Sequence, residues 1–201
     1  MDGLTIRSAT ANDLDRIIEI LHGETGQEAV AIAGCVEAAQ KFAVGIARLP
    51  DSPQGWQRSA VAELDGRTIG VMQTGSDAWQ MTPAMALLAV RVFGVGLVAV
   101  LGRARARQRV DHDVPAGAYH ISELNVDAAY RNRGIGGALL DHAEREARAA
   151  GHPCMSLSTT TINPARRLYE RHGFHVAETR TDRLYERYTG IAGRHLMVKE
   201  L

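Results

Sequence analysis

The stretch Arg131-Asn132-Arg133-Gly134-Ile135-Gly136-Gly137-Ala138 constrains this chain more than any other. It follows a strand-like run over residues 120–126 and opens an alanine- and leucine-rich segment of helical period, so it joins a strand to a helix N-terminus. Glycines at 134, 136 and 137 let backbone come close to a ligand, and the first N–H groups of the helix lack intrahelical acceptors. A pyrophosphate suits that end, because the helix dipole adds partial positive charge to the free donors. The two commonest phosphate loops do not fit these residues. A P-loop places Lys-Ser or Lys-Thr after its last glycine, where this chain has Ala138. A dinucleotide fingerprint needs G-x-G-x-x-G and an acidic residue about twenty positions on. Cys154-Met155-Ser156 offers none there.

A second element lies downstream, Asn163-Pro164-Ala165-Arg166-Arg167-Leu168-Tyr169-Glu170-Arg171-His172-Gly173-Phe174. Asn163 is a natural N-cap, Pro164 suits the first helical position and Gly173 ends the helix. Tyr169 then falls in the second turn, on the side of Ala165 and His172. Taken together, Leu124-x-Val126, Tyr130-Arg131-x-x-Gly134-x-Gly136 and Leu168-Tyr169-Glu170-x-x-Gly173-Phe174 resemble the GNAT superfamily of acyl-CoA-dependent N-acyltransferases. Residues 118–176 carry the resemblance, and the flanks agree with it in the order of strands and helices. It implies an α+β fold (α/β/α), a GNAT-like twisted mixed β-sheet flanked by helices, whose fourth and fifth strands run parallel and part at one end. The chain is expected to be a single N-acetyltransferase domain, 1–201, with a helical insertion at 79–110 between strands three and four.

The resemblance also implies a site. Arg131, Asn132, Arg133, Gly134, Ile135, Gly136, Gly137 and Ala138 would cradle the pyrophosphate of coenzyme A, the two arginines adding charge. The preceding strand is expected to bulge near Asn125, so that Leu124, Asn125 and Val126 present unpaired backbone groups to the pantetheine and thioester, with the Leu124 N–H as oxyanion donor. Asn163 and Arg166 are implied contacts to pantetheine or phosphates. Tyr169 is the implied acid for the departing thiolate, the alternative being a core tyrosine. Glu123 is the base candidate, acting directly or through water, with His120 and Ser122 behind it. An ion pair with a neighbouring arginine is the alternative for Glu123, since strict alternation puts it opposite Leu124 unless a bulge turns it.

How much a base matters depends on the acceptor, which must be a neutral amine. Freeing the lone pair of a lysine-like amine of pKa ~10.4 at pH 7 costs about 4.6 kcal/mol, whereas an α-amine near ~7.8 costs about 1 kcal/mol. The implied reaction is acetyl transfer from acetyl-CoA to a primary amine by direct attack in a ternary complex. Neither cysteine lies in the motif, so no acyl-enzyme is expected. The rival class is a non-catalytic acyl-CoA-binding module that docks a partner through its insertion.

Composition excludes other classes. Basic and acidic side chains balance at 23 each, so no global field steers the chain toward nucleic acid or acidic membranes, and any recognition must be local. Cys35 and Cys154 are too few for a disulfide scaffold or zinc ribbon and are expected as core thiols in a reducing compartment. Met1-Asp2-Gly3-Leu4 begins no secretory signal, and a cytoplasmic setting follows by default. His172-x-x-His175 straddles Gly173 and shares no helical face, so no metal is expected.

Elsewhere the pattern predicts a strand over 4–9, then a helix after Thr10-Ala11-Asn12-Asp13 with Leu14, Ile17, Ile18 and Leu21 inward. A second helix is expected over 28–48, burying Ile32, Cys35, Ala39, Phe42 and Ile46, and a loop over 50–55 ends it. Asp65-Gly66 between 59–64 and 67–74 predicts a type I′ hairpin. Further strands are expected over 152–160, 174–179 and 195–201, with 179–193, including Tyr185 and Tyr188, as a wall of the acceptor pocket. In the insertion, Thr82-Pro83 caps an apolar run over 84–101 that only Arg91, Gly94 and Gly96 interrupt, and Arg103, Arg105, Arg107 and Arg109 follow. Arg91 and the short length argue against a membrane span. The expectation is a helical flap broken at Gly94-Val95-Gly96, beside the cleft or at a homodimer interface, with Trp79, Met81, Met85 and Phe93 facing an apolar acceptor or partner. A helix lying on a membrane surface, basic run toward the headgroups, is the alternative.

Overall fold

The computed structural model describes residues 3–23, 26–49, 52, 55–75 and 81–201. Its first half comprises β1 (Leu4–Ser8), α1 (Leu14–His22), α2 (Gln27–Ala33), α3 (Val36–Ala47), β2 (Ser59–Leu64), β3 (Arg67–Thr74), α4 (Pro83–Phe93) and α5 (Leu97–Gln108). The second half comprises β4 (Tyr119–Val126), α6 (Ile135–Ala149), β5 (Cys154–Thr160), α7 (Arg166–Arg171), β6 (His175–Thr181), α8 (Arg183–Thr189) and β7 (Gly193–Glu200). The strands form one sheet in the order β1-β2-β3-β4-β5-β7-β6. Among the described residues only the β4–β5 pair is parallel.

Alternation in the β2–β3 hairpin gives the sheet two apolar faces. Ala60, Ala62 and Met72 pack beneath α6 with Ile135, Leu139, Leu140 and Ala143, while Val61 and Val71 meet Ile17 of α1 on the other face. Asp65 and Gly66 have φ of 50° and 77°, the backbone that a type I′ turn requires.

The helix expected over 28–48 is two helices. Gly34 has φ 95°, Cys35 is extended, and α2 and α3 meet at 98°. The apolar repeat that spans the break is real in each half, but a left-handed residue ends one helix and restarts the next. Cys35 consequently stands exposed at the corner and is not a core thiol, whereas Cys154 is buried. Ala39 and Ile46 are buried as expected, and Phe42 packs against Phe93 of α4 at 4.9 Å.

Entry into α1 rests on Asp13. Its carboxylate takes both Arg7 guanidinium nitrogens at 2.8 and 2.9 Å, the Thr10 N–H and hydroxyl at 2.8 Å each, and the Thr68 hydroxyl at 3.2 Å. The Arg7 hydrogen bonds are the main reason that this carboxyl lies well below the usual range, the Thr10 donors adding to them against burial. A depressed folded-state pKa contributes stability that is present above the unfolded value near ~3.9 and is lost as pH falls toward the folded one. Arg7 is 38% exposed, which limits the value of the pair. Asp13→Asn is therefore expected to cost about 2 kcal/mol at neutral pH and to flatten the acid limb of stability, as urea unfolding from about pH 5 to pH 2 would show.

Between β3 and β4 the expected cap is present: Thr82 Oγ1 accepts the Met85 N–H at 3.2 Å and Pro83 opens α4, while Gly94, with φ 50°, ends it. Trp79 lies outside the described residues. α4 packs on α3, and α5 on α2 and α8. Glu28 of α2 ties these elements together, pairing with Arg107 at 3.1 Å and Arg194 at 2.7 Å and accepting the Tyr185 hydroxyl at 2.6 Å. Tyr185 is thus wholly buried among Ala106, Val110 and Ile191 and is no wall of a pocket. It belongs to α8, capped by Asp182 and closed by Gly190 at φ 70°, where the sequence pattern predicts only a link between strands.

Candidate active site

β4 carries apolar residues that simple alternation cannot gather on one face. Tyr119 and Ile121 are odd-numbered, Leu124 and Val126 even-numbered, yet all four pack into the core beneath α6. The register explains this: Gln73 opposes Glu123 while Thr74 opposes Ile121, so Ser122 is an extra residue and β4 is bulged there. The bulge was expected near Asn125, where the pairing with Val71 is regular instead. Past the bulge alternation resumes, so Glu123 and Asn125 share the face opposite Leu124, their side chains 3.5 Å apart.

The backbone consequence matters more. The Asp127 N–H bonds the Ile69 carbonyl at 2.9 Å. Bonding residues alternate along an antiparallel ladder, so Asn125 and Glu123 turn their polar groups toward β3, and Leu124 and Val126 turn theirs the other way. On that other side β5 pairs only as far as Ile121↔Leu157. Beyond this point the parallel strands part, leaving the Leu124 N–H and C=O and the Val126 N–H along an open edge. The Val126 carbonyl is taken by Arg131 Nε at 3.1 Å. A cavity of about 130 Å³ fills the fork, bordered by Ser122, Glu123, Asn125, Ser158, Asn163 and Tyr169. An extended, amide-bearing chain fits such an edge, since it supplies the partners that a strand would.

The loop after β4 turns through Asn132 at φ 60° and Gly134 at φ 81° into α6. A Cβ on Gly134 would meet nothing within 4 Å, so conformation alone calls for glycine there. The other two glycines serve packing rather than ligand approach: a Cβ on Gly136 would lie 3.0 Å from Leu168, and one on Gly137 3.0 Å from His172. Ala138 is no free donor, because its N–H closes the first turn onto the Gly134 carbonyl at 3.0 Å. Ile135, Gly136 and Gly137 remain as first-turn N–H groups. Arg131 lies against Val126, and Arg133 stacks over the Tyr130 ring at 5.4 Å, so two guanidinium groups flank the cradle.

Tyr169 reaches the fork from α7. It is 6% exposed, its ring packed edge-on to Phe174 at 6.2 Å. Burial first, and the Glu123 carboxylate second, push its hydroxyl up to about 12. The structure therefore brings the acid and base candidates to one cavity. α7 starts later than read, with Ala165 as N-cap. Asn163 Oδ1 instead accepts the Ala165 N–H at 2.9 Å and its Nδ2 donates to Thr159 Oγ1 at 2.7 Å, which ties α7 to β5. Arg166 pairs with Glu170 at 2.7 Å on the outer face of α7 and does not line the cavity. Sequence reasoning missed Ser158 and Thr159 of β5. Their signal was a run of hydroxyls, Ser156, Ser158, Thr159 and Thr160, in a strand whose Met155 and Leu157 are core. Among the described residues no three His, Cys, Asp or Glu gather as a metal site.

A family profile described as an acetyltransferase (GNAT) domain matches residues 55–176, more than half of the chain. Among solved structures, the chain is similar to the PaiA N-acetyltransferase of Thermoplasma acidophilum in complex with coenzyme A, at TM-score 0.59 and 15% identity over 98% of this chain and 99% of that one. It is similar to the ribosomal-protein-S18-alanine N-acetyltransferase of Escherichia coli, at 0.56 and 20% over 98% and 93%. A mosquito arylalkylamine N-acetyltransferase-like 5b gives 0.57 and 20% over 98% and 100%. At these identities the likeness establishes the fold. No curated protein matches the chain by sequence.

Proposed function

The chain belongs to the acetyltransferase (GNAT) family, and from that premise we propose that it transfers acetyl from acetyl-CoA to a primary amine of a small molecule or peptide, by direct attack in a ternary complex. The observation that carries this reading is the fork between β4 and β5, where an open backbone edge, Tyr169 and Glu123 border one cavity. Acetyl-CoA supplies the activated thioester. The N–H groups of Ile135, Gly136 and Gly137 hold its pyrophosphate, with Arg131 and Arg133 beside them. The open edge at Leu124 and Val126 binds the pantetheine, and the Leu124 N–H donates to the oxygen that becomes negative. Tyr169 donates toward the departing sulfur. Glu123, directly or through water, takes the proton of the amine. Cys35 stands at the α2–α3 corner and Cys154 at the paired end of β5, which supports attack by the amine itself rather than by a thiol. Two unpaired cysteines and acetyl-CoA chemistry support a cytoplasmic setting.

Titration calorimetry with acetyl-CoA and with CoA, then thiol release across a panel of amines, tests the reading. Binding followed by turnover on any amine is the expected result. Binding without turnover on the whole panel would favour an acyl-CoA sensor, which a catalytic pair facing one cavity argues against. Glu123→Gln adds a sharper expectation. At pH 7 it should lower kcat/KM about 100-fold for a strongly basic amine and only a few-fold for an α-amine, because the deprotonation costs are about 4.6 and 1 kcal/mol. Equal losses on both would make Glu123 a positioning residue.

A further inference from the structure

We propose that the outer side of α4 and α5 docks the protein flat onto an anionic lipid bilayer. Pro83–Gln108 forms a rod of 26 residues that is long and apolar enough to cross a membrane by length and composition, yet only 11% of its most apolar window is buried. The flap expectation accounts for one side alone, where Met85, Ala89, Val100 and Ala106 are buried against α2, α3 and α8. On the other side Leu87, Val90 and Val98 are more than half exposed, Leu101 is 48% exposed, and Val95 is wholly exposed. The packed side runs the length of the rod, so a transverse span would strip it from three helices. A rod held along one side and apolar along the other has the geometry of an interfacial helix.

Charge chooses between a lipid surface and a second copy of the chain. Arg91, Arg103, Arg105, Arg107 and Arg109 are the only charged residues between Asp77 and Asp111. Arg91 and Arg105 follow the exposed stripe at helical spacing and, among the described residues, have no acidic partner. A twofold contact of this stripe with itself would set arginine against arginine. Phosphate headgroups instead accept the guanidinium groups while Leu87, Val90, Val95 and Val98 enter the acyl boundary. The sequence carried both halves of this pattern, and the exposure of the apolar half is what the fold adds. The inference does not depend on the acetyl-transfer reading.

Sedimentation of the full chain with vesicles of equal parts phosphatidylglycerol and phosphatidylcholine, against phosphatidylcholine alone, tests it. Partition onto the anionic vesicles should be about tenfold stronger and should fall as salt rises. Val95→Asp with Val98→Asp, and separately Arg91→Glu with Arg105→Glu, should each remove most of the binding with unchanged circular dichroism and melting, because all four positions are exposed. Equal or absent binding to the two vesicle types would overturn the proposal. So would a dimer in sedimentation velocity that the Val95→Asp, Val98→Asp pair converts to monomer, since a second copy would then cover the face.

Discussion

Tyr169→Phe is expected to lower kcat by about 100-fold while changing acetyl-CoA affinity no more than about twofold. Removing one preorganised donor aimed at developing negative charge costs ~2.7–4 kcal/mol in other enzymes, and phenylalanine keeps the ring and its edge-on contact with Phe174. The raised pKa refines the role. A phenol near 12 facing a thiolate whose conjugate thiol has pKa ~8.5 makes complete proton transfer uphill by about 4.8 kcal/mol, from ~3.5 units at ~1.36 each. In the proposed reaction Tyr169 would thus act as a hydrogen-bond donor to the sulfur as charge builds there, more than as a proton source. Two consequences are measurable. The phenol stays protonated through neutral and mildly alkaline pH, so it contributes no descending limb to the rate below about pH 11. The deficit of the Phe variant should also shrink with acyl donors whose leaving thiol is more acidic. A deficit that is constant across such donors would mean that the Tyr169 hydroxyl does not act on the leaving sulfur.

The strand, loop and helix around the fork were legible because their signals are local. Asp65-Gly66 names its turn, and Gly134 names the left-handed residue before α6, each from one dihedral requirement. The resemblance implied a bulge near Asn125, and its place at Ser122 was legible in the residues: Tyr119 and Ile121 fall on one parity and Leu124 and Val126 on the other, so an extra residue had to lie between them. What stayed hidden depends on partners remote in sequence. The two helices joined at Gly34 share an apolar period, and Arg103, packed 2.9 Å from where a Gly34 Cβ would stand, comes from α5. Arg166 is the exception: the resemblance implied a pantetheine or phosphate contact, whereas its partner Glu170 lies one helical turn on and was within reach of the sequence. Glu28, one carboxylate that binds α2, α5, α8 and β7, has no sequence signature beyond being a charged residue in a helix.

Gly134→Val is expected to weaken acetyl-CoA binding about 100-fold, and Gly134→Asn to restore most of that loss. The cause is conformational, since a Cβ at 134 would meet no described atom of the protein within 4 Å. The left-handed backbone costs an L residue ~1–2 kcal/mol, and a β-branched one more, so valine drives φ negative and swings the N–H groups of Ile135, Gly136 and Gly137 off their common target. Losing two charge-assisted hydrogen bonds at ~1.5 kcal/mol each gives the 100-fold. Asparagine tolerates this conformation, and Asn132 already adopts φ 60° two residues earlier in the same loop. Calorimetry on the three proteins separates the causes. If valine binds acetyl-CoA as tightly as glycine, the α6 N-terminus does not hold the anion. If asparagine fails as badly as valine, the ligand needs the bare surface of glycine at 134, and the role of that residue is close approach rather than its dihedral angle.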